Sequence, residues 1–287
     1  MHQVNVLNMI ADKMPEMSKS HKKIAAYIVK NPHSAAFLTV GKLAKQAAVS
    51  EATVVRFVTF LGYSGYNELQ QYLYDSVEKQ LNTVERLQMS RAVYSEAEKG
   101  IYEIFEDDIT NIRSTMENLN LDEFHEAANY ILEAENIYIV ANRSAVSLGV
   151  FLQYYLDIIF GNSQLVSSSE SAFERMYPLT KKDVVIAISF ARYTKSTIEI
   201  VSHAQDKEAK IIAITDSLLS PITQYATVSL HASSKMPSFM DSFVAPLSLI
   251  NTLITHIGKH KSEDIDARLE DLEVLWDQYD VFYQKKN

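Results

Sequence analysis

Apolar residues recur every three or four positions along the first eighty residues, which is the spacing of amphipathic helices. The pattern predicts helices over residues 4–14, 18–30 and 67–81. Pro32 should end the second of these, because a proline disfavours helical backbone in the residue before it. Two shorter helices are expected in between, within residues 40–61, so this part of the chain should form an all-α domain.

The two short helices have the pattern of a helix-turn-helix. Thr39 can cap the first, and Ser50 can cap the second through its side-chain oxygen. Gly62 stands just beyond Leu61, where a helix commonly ends in a left-handed residue. The apolar residues of the second helix are expected to be buried: Val54, Val55, Phe57, Val58 and Leu61. Such a pair also occurs in ordinary helical packing, so the pattern alone does not establish DNA binding.

Charge favours the DNA-binding interpretation. Residues 19–60 contain seven basic residues and one acidic residue, although the whole chain carries a net charge of −9. Residues 1–80 have net charge +3 and the remainder −12. A local positive field is what binding to the phosphate backbone requires. We predict that residues 50–61 form a recognition helix and that DNA is contacted by Lys42, Lys45, Ser50, Thr53 and Arg56.

The pattern changes in the second half of the chain. Residues 82–96 show little periodicity and are expected to be a linker, followed by a long helix over residues 97–118. Five short β-rich runs then alternate mostly with helical patterns, at residues 136–141, 163–167, 183–189, 209–216 and 227–232. This alternation predicts a five-stranded parallel sheet flanked by helices. We therefore expect a helix-turn-helix domain (1–80), a linker with a connecting helix (81–120) and an α/β domain (121–287).

Open parallel sheets bind ligands beyond the carboxyl ends of their strands. Two polar loops follow predicted strands here, and each carries hydroxyl groups and an arginine that suit an anion. The candidate ligand-binding residues are Arg143, Ser144, Ser189, Arg192 and Thr194. Ser and Thr also cap helices routinely, so these hydroxyls have an equally good structural explanation.

Composition excludes several classes of protein. The chain has no cysteine, so it has no disulfide and no thiolate metal site. Its eight histidines are scattered, and the sequence points to no metal and no cofactor. The first residues lack the pattern of a signal peptide, and no uninterrupted apolar run is long enough to span a membrane. We expect a cytoplasmic protein.

The chain resembles the RpiR-type bacterial transcription regulators. The resemblance is strongest in residues 42–69, KLAKQAAVSEATVVRFVTFLGYSGYNEL, and includes residues 18–32, SKSHKKIAAYIVKNP. It implies an N-terminal helix-turn-helix domain and a C-terminal sugar isomerase (SIS) domain. It further implies a homodimer or homotetramer that binds a palindromic operator, with a phosphorylated sugar on the SIS domain altering DNA affinity.

The second half departs from the family pattern at both loops. The family's first loop has the pattern Gly-x-Gly-x-Ser, of which Ser144 remains. Its second loop has Ser-x-Ser-Gly-x-Thr, and here Arg192 stands in place of the glycine. Two alternatives therefore stay open. The SIS domain could serve only oligomerisation, or the chain could be a sugar-phosphate isomerase with Glu170 or His203 as the base.

Overall fold

The computed structural model describes residues 6–77, 82–94, 98–167, 169–259 and 263–283. The chain divides into two compact units. Unit 1 consists of Met1–Asp107 together with Lys235–Asp241. Unit 2 consists of Asp108–Ser234 together with Ser242–Asn287. The chain therefore leaves unit 2 after its last strand, contributes seven residues to unit 1 and returns.

The described part of unit 1 is helical, as its periodicity predicts. The first four helices are α1 (Val6–Lys13), α2 (Lys19–Lys30), α3 (Pro32–Ala35) and α4 (Val40–Gln46). The next four are α5 (Glu51–Leu61), α6 (Tyr66–Val77), α7 (Thr83–Val93) and α8 (Glu98–Glu117). The last part of the helix predicted over residues 67–81 lies outside the described residues.

The helix-turn-helix is formed by α4 and α5, and its predicted caps are confirmed. The Thr39 hydroxyl accepts a hydrogen bond from the backbone N–H of Lys42, and the Ser50 hydroxyl accepts one from Thr53. Gly62 ends α5 in the left-handed conformation, with φ 101°. The residues that flank α5 therefore set both of its ends, Ser50 through its side chain and Gly62 through its backbone conformation.

The core of unit 1 holds one face of α5. Val54, Phe57, Val58 and Leu61 are buried, as expected. The prediction for Val55 was wrong, because 52% of this residue is exposed. The buried positions follow an i, i+3, i+4, i+7 pattern, and Val55 falls outside that stripe.

The stretch expected to be a linker forms helix α7 over most of its length. Asn82 accepts hydrogen bonds from Val84 and Glu85, while the Glu85 carboxylate accepts one from the backbone N–H of Asn82. This capping box satisfies donors that a helix otherwise leaves free at its start. Met89 and Val93 are buried, and Phe37 packs against them.

Unit 2 contains the predicted sheet, and all of its strand pairs are parallel. The strands are β1 (Ile137–Ala141), β2 (Ser163–Val166), β3 (Val184–Ile188), β4 (Lys210–Thr215) and β5 (Val228–His231). Their spatial order is β2-β1-β3-β4-β5. The helices are the end of α8, α9 (Leu121–Glu133), α10 (Val146–Phe160), α11 (Ser169–Arg175), α12 (Lys195–Asp206), α13 (Val244–Gly258) and α14 (Glu263–Gln278).

Helices cover both faces of the sheet, which explains why the central strands are apolar throughout. Ile137, Ile139 and Ala141 belong to a core that includes residues of α9, α10 and α13. Tyr138 and Val140 belong to the opposite core, which includes residues of α11 and α12. Alternate residues of one strand therefore enter different cores, as a strand's two-residue period requires. Among the described residues, no helix is long and apolar enough to cross a membrane.

A buried ion pair holds residues 235–241 within unit 1. The Arg86 guanidinium lies 2.5 Å from the Asp241 carboxylate and donates a second hydrogen bond, 3.2 Å long, to the Met240 carbonyl. Only 5% of Arg86 is exposed. The ammonium of Lys235, at the other end of the segment, lies over the Tyr74 ring. These contacts connect the segment to α6 and α7.

We expect Arg86→Ala to loosen this segment, because it leaves the Asp241 carboxylate, of whose side chain 14% is exposed, without its cation. Removal of one partner from a buried pair costs about 3–5 kcal/mol of stability. Hydrogen exchange should speed up in α7 and in residues 235–241. Arg91→Ala is the matched control, since Arg91 is an exposed arginine on the same helix. Equal exchange in the two variants would contradict the structural role of the pair.

Candidate functional site

Three predicted DNA-contacting residues form a connected polar row on α5. The Ser50 and Thr53 hydroxyl oxygens lie 2.9 Å apart, and the Arg56 guanidinium lies 3.4 Å from the Thr53 hydroxyl. Ser50 and Arg56 are exposed, and Thr53 is half-buried. The structure therefore brings these residues together at the solvent side of a capped helix. This arrangement can present a cation and the helix N-terminus to a phosphate or a base edge.

The two predicted lysines have different surroundings. Lys45 is exposed on α4. The Lys42 ammonium lies 3.0 Å from the Glu103 carboxylate and donates a 2.9 Å hydrogen bond to the Val93 carbonyl. Any phosphate contact by Lys42 must therefore compete with these two partners.

The His21 ring packs against two aromatic residues of α5. Its ring centroid lies 5.6 Å from that of Phe57 and 5.4 Å from that of Phe60. Burial lowers the pKa of His21, and the nearby Arg56 guanidinium lowers it further. The imidazole therefore favours its neutral form, and it packs on α5 as an aromatic ring.

The sheet of unit 2 has a topological switch point between β1 and β3. Strand β2 lies on one side of β1, and β3, β4 and β5 follow on the other. Ala141 pairs in register with Ile188, the last residue of β3, and Ile188 pairs with Ile214. The loops after β1 and β3 therefore begin side by side at one edge. Crevices at such switch points are the usual ligand sites of open parallel sheets.

The two arginines of the predicted ligand site adopt a left-handed backbone conformation. Arg143 has φ 54° and Arg192 has φ 63°. Glycine adopts this conformation without strain, whereas other residues bear a cost of about 1–2 kcal/mol. At position 192, where the RpiR-type pattern has glycine, the backbone is thus in a conformation that glycine favours, but the residue carries a guanidinium group. The β1 loop is fixed by a buried hydrogen bond, 2.9 Å long, from the Asn142 amide to the Thr197 hydroxyl on α12.

The hydroxyl groups of Ser144 and Thr194 do not cap the helices that follow them. Thr194 precedes α12, but its side chain makes no capping hydrogen bond. Helix α10 begins after Ala145, so Ser144 is not its cap either. Ser189 is almost fully buried at the end of β3, with 4% exposed. The capping explanation of these hydroxyls therefore does not account for Ser144 or Thr194.

Sequence reasoning missed Asp216, which follows β4 at the same edge. Its carboxylate accepts hydrogen bonds from the Ala191 backbone N–H at 3.2 Å and from the Tyr193 hydroxyl at 3.0 Å. The Thr215 hydroxyl lies 3.2 Å from the same carboxylate. Burial raises the pKa of Asp216, and these hydrogen bonds only partly oppose the shift. The available signal was an acidic residue directly after a near-continuous apolar strand.

The residues considered as an isomerase base lie on helices of unit 2. His203 is on α12, where its ring packs edge-on against Phe173 with centroids 5.3 Å apart. Glu170 lies within α11. Packing on an aromatic ring gives His203 a structural role.

Comparison with known proteins agrees with this architecture. A model described as the helix-turn-helix domain of the rpiR family matches residues 4–80, and a SIS domain model matches residues 130–256. The class of protein is therefore a helix-turn-helix regulator with a C-terminal SIS domain. The chain belongs to the RpiR family of transcriptional regulators.

Relatives along the whole chain carry the same description. The chain is 29% identical over 283 residues to an HTH-type transcriptional regulator of Caldanaerobacter subterraneus, covering 93% of this chain and 95% of that protein. It is 25% identical over 275 residues to the HTH-type transcriptional regulator HexR of Pseudomonas aeruginosa, covering 92% and 93%. Both relatives are thus named as regulators of transcription.

Two solved structures share the fold. The sugar isomerase domain of an RpiR transcription factor from Sphaerobacter thermophilus aligns with TM-score 0.58 and 22% identity, covering 60% of this chain and 97% of that one. The Vibrio vulnificus NanR protein complexed with ManNAc-6P aligns with TM-score 0.57 and 20% identity, covering 96% and 99%.

The raised pKa of Asp216 gives a testable pH dependence. Because the pKa of Asp216 is raised on folding, its carboxyl group stays protonated to a higher pH in the folded protein than in the unfolded chain. The free energy of unfolding should therefore fall as the pH rises through the raised pKa. Asp216→Asn keeps an acceptor but cannot titrate. Its unfolding free energy relative to the native sequence should therefore increase as the pH rises from about 4, measured by urea denaturation.

The control is Asp206→Asn, which removes one carboxylate from the exposed end of α12. A difference between Asp216→Asn and the native protein that stayed constant across pH 4–8 would show that the Asp216 carboxyl is not perturbed.

Proposed function

We propose that this protein binds a palindromic operator as a homo-oligomer and that a phosphorylated sugar at the SIS domain changes its DNA affinity. The observation that supports DNA binding is the polar row Ser50–Thr53–Arg56, of which Ser50 and Arg56 are exposed, on a helix with both ends capped. Lys45 adds a positioning charge. A palindrome needs two copies of the helix, which a homodimer or homotetramer supplies.

The effector part of the proposal rests on the switch point. Arg143 and Arg192 can bind a phosphate through their side chains, since a guanidinium offers paired donors to an anion. Ser144, Ser189 and Thr194 supply hydroxyl groups at the same edge. Asp216 adds a carboxylate acceptor for a sugar hydroxyl. NanR, which shares the fold, has been solved with ManNAc-6P, and this makes a phosphorylated sugar the first ligand class to test.

The DNA-binding proposal is tested by Arg56→Ala. Loss of this guanidinium should weaken binding to the protein's own upstream DNA about tenfold at fixed salt, the effect of losing one good base or phosphate contact. Fluorescence anisotropy measures the affinity. Arg91→Ala removes the same charge from α7, where the side chain is also exposed, and should bind as the native protein does. If Arg56→Ala bound this DNA with native affinity, Arg56 would not be part of the DNA interface.

The effector proposal is tested by adding a panel of phosphorylated sugars, ManNAc-6P included, to the protein–DNA complex. One of them should shift the DNA affinity, and Arg143→Ala with Arg192→Ala should abolish that shift while leaving DNA binding intact. Arg113→Ala is the control, because Arg113 is exposed on α8 and outside both loops. Thermal shift measurements on the same variants report ligand binding directly.

The outcomes separate the alternatives. Tight DNA binding with no response to any sugar would favour a SIS domain that serves only oligomerisation. A response that the double variant retains would place the ligand elsewhere. Turnover of a ketose phosphate would support the isomerase alternative.

A further inference from the structure

The outward face of α5 is more apolar than its basic surroundings suggest. Ala52, Val55, Arg56 and Thr59 are all exposed, and their spacing of i, i+3, i+4 and i+7 places them on one side of the helix. This face lies opposite the buried stripe described above. Val55 itself is 52% exposed to solvent. An exposed valine alone is ordinary, but here it stands beside Arg56 on the helix proposed to enter DNA.

Thr59 adds to the apolar character of this face. Its hydroxyl donates a 3.2 Å hydrogen bond to the Val55 carbonyl, one turn earlier in the helix. The O–H group of Thr59 therefore donates within the helix, and the Thr59 methyl group is left to contact a partner. Along this side, α5 thus presents methyl groups from Ala52, Val55 and Thr59, and one guanidinium.

The chemistry of the major groove identifies a match for these methyl groups. Each base pair presents a distinct set of donors and acceptors there, and thymine alone adds an exposed C5-methyl group. A small apolar side chain in contact with that group distinguishes thymine from cytosine, and Ala and Thr methyl groups are known to do so. Valine offers the same kind of surface.

We infer that Val55 contacts a thymine methyl group in the operator and so specifies an A·T pair at one position of each half-site. This rests on the proposed binding of DNA by α5. Arg56, one residue further along, contacts a phosphate or a neighbouring base. Ala52 and Thr59 flank Val55 and complete an apolar strip about two turns long.

The test uses a duplex selected by the native protein from a random pool, with each thymine replaced in turn by deoxyuridine. This substitution removes one methyl group and leaves base pairing unchanged. The native protein should lose about threefold to fivefold in affinity at one position of each half-site, the effect of one methyl contact. Val55→Ala should lose most of this difference at that position, because the shorter side chain lacks the two γ-methyl groups that reach the thymine.

Val29→Ala is the matched control, since Val29 is an exposed valine on α2, with 42% of the residue open to solvent. It should keep the full response to deoxyuridine. Because Val55 lies on the surface, Val55→Ala should fold normally, and circular dichroism checks this. Val55→Thr, which retains one methyl group, should keep part of the response.

The failures of the two proposals are distinguishable. A native protein that bound DNA but showed no deoxyuridine penalty would overturn the inference and leave DNA binding intact. An unchanged penalty in Val55→Ala would assign the methyl contact to another residue and would also overturn the inference. Selection of no duplex at all would instead contradict the proposed function.

Discussion

The parallel pairing of β1, β3 and β4 in matched register is the constraint on which the candidate ligand site depends. Because Ala141, Ile188 and Ile214 lie at one level, the residues that follow them must emerge together at one edge. The loops there then turn sharply, and Arg143 and Arg192 adopt left-handed backbone to do so. The strain of about 1–2 kcal/mol at each is tolerable because the strands behind are fully buried.

Much of this fold was predictable because its signals are local. Strand positions follow from short β-branched runs between helical patterns, and the caps at Thr39, Ser50 and Gly62 act within a few residues of themselves. At Val55, residue type alone gave the wrong prediction. Valine is common in cores, but the position of Val55 around the helix axis places it outside the buried stripe. Strict use of the 3.6-residue period would have corrected this error.

Other features could not be predicted because they depend on contacts between distant parts of the chain. Helix α7 has little apolar periodicity, and its Arg86 is buried only because Asp241 supplies a charge from a segment far along the sequence. The Asp216 carboxylate likewise accepts hydrogen bonds from the Ala191 N–H and the Tyr193 hydroxyl, which lie 25 and 23 positions earlier in the chain. Only the folded arrangement shows that these groups are partners.

The chain connects the two units in more than one place, and this bears on how an effector could act. Helix α8 begins in unit 1 and ends in unit 2, and residues 235–241 follow β5 and return. Ser233, just before that segment, is bonded through its backbone N–H to Thr115 and through its hydroxyl to Asn111, both on α8. The two connections are thus joined near the end of the sheet. An effector changes DNA affinity only through its difference in affinity for two states, and DNA must change effector affinity by the same factor.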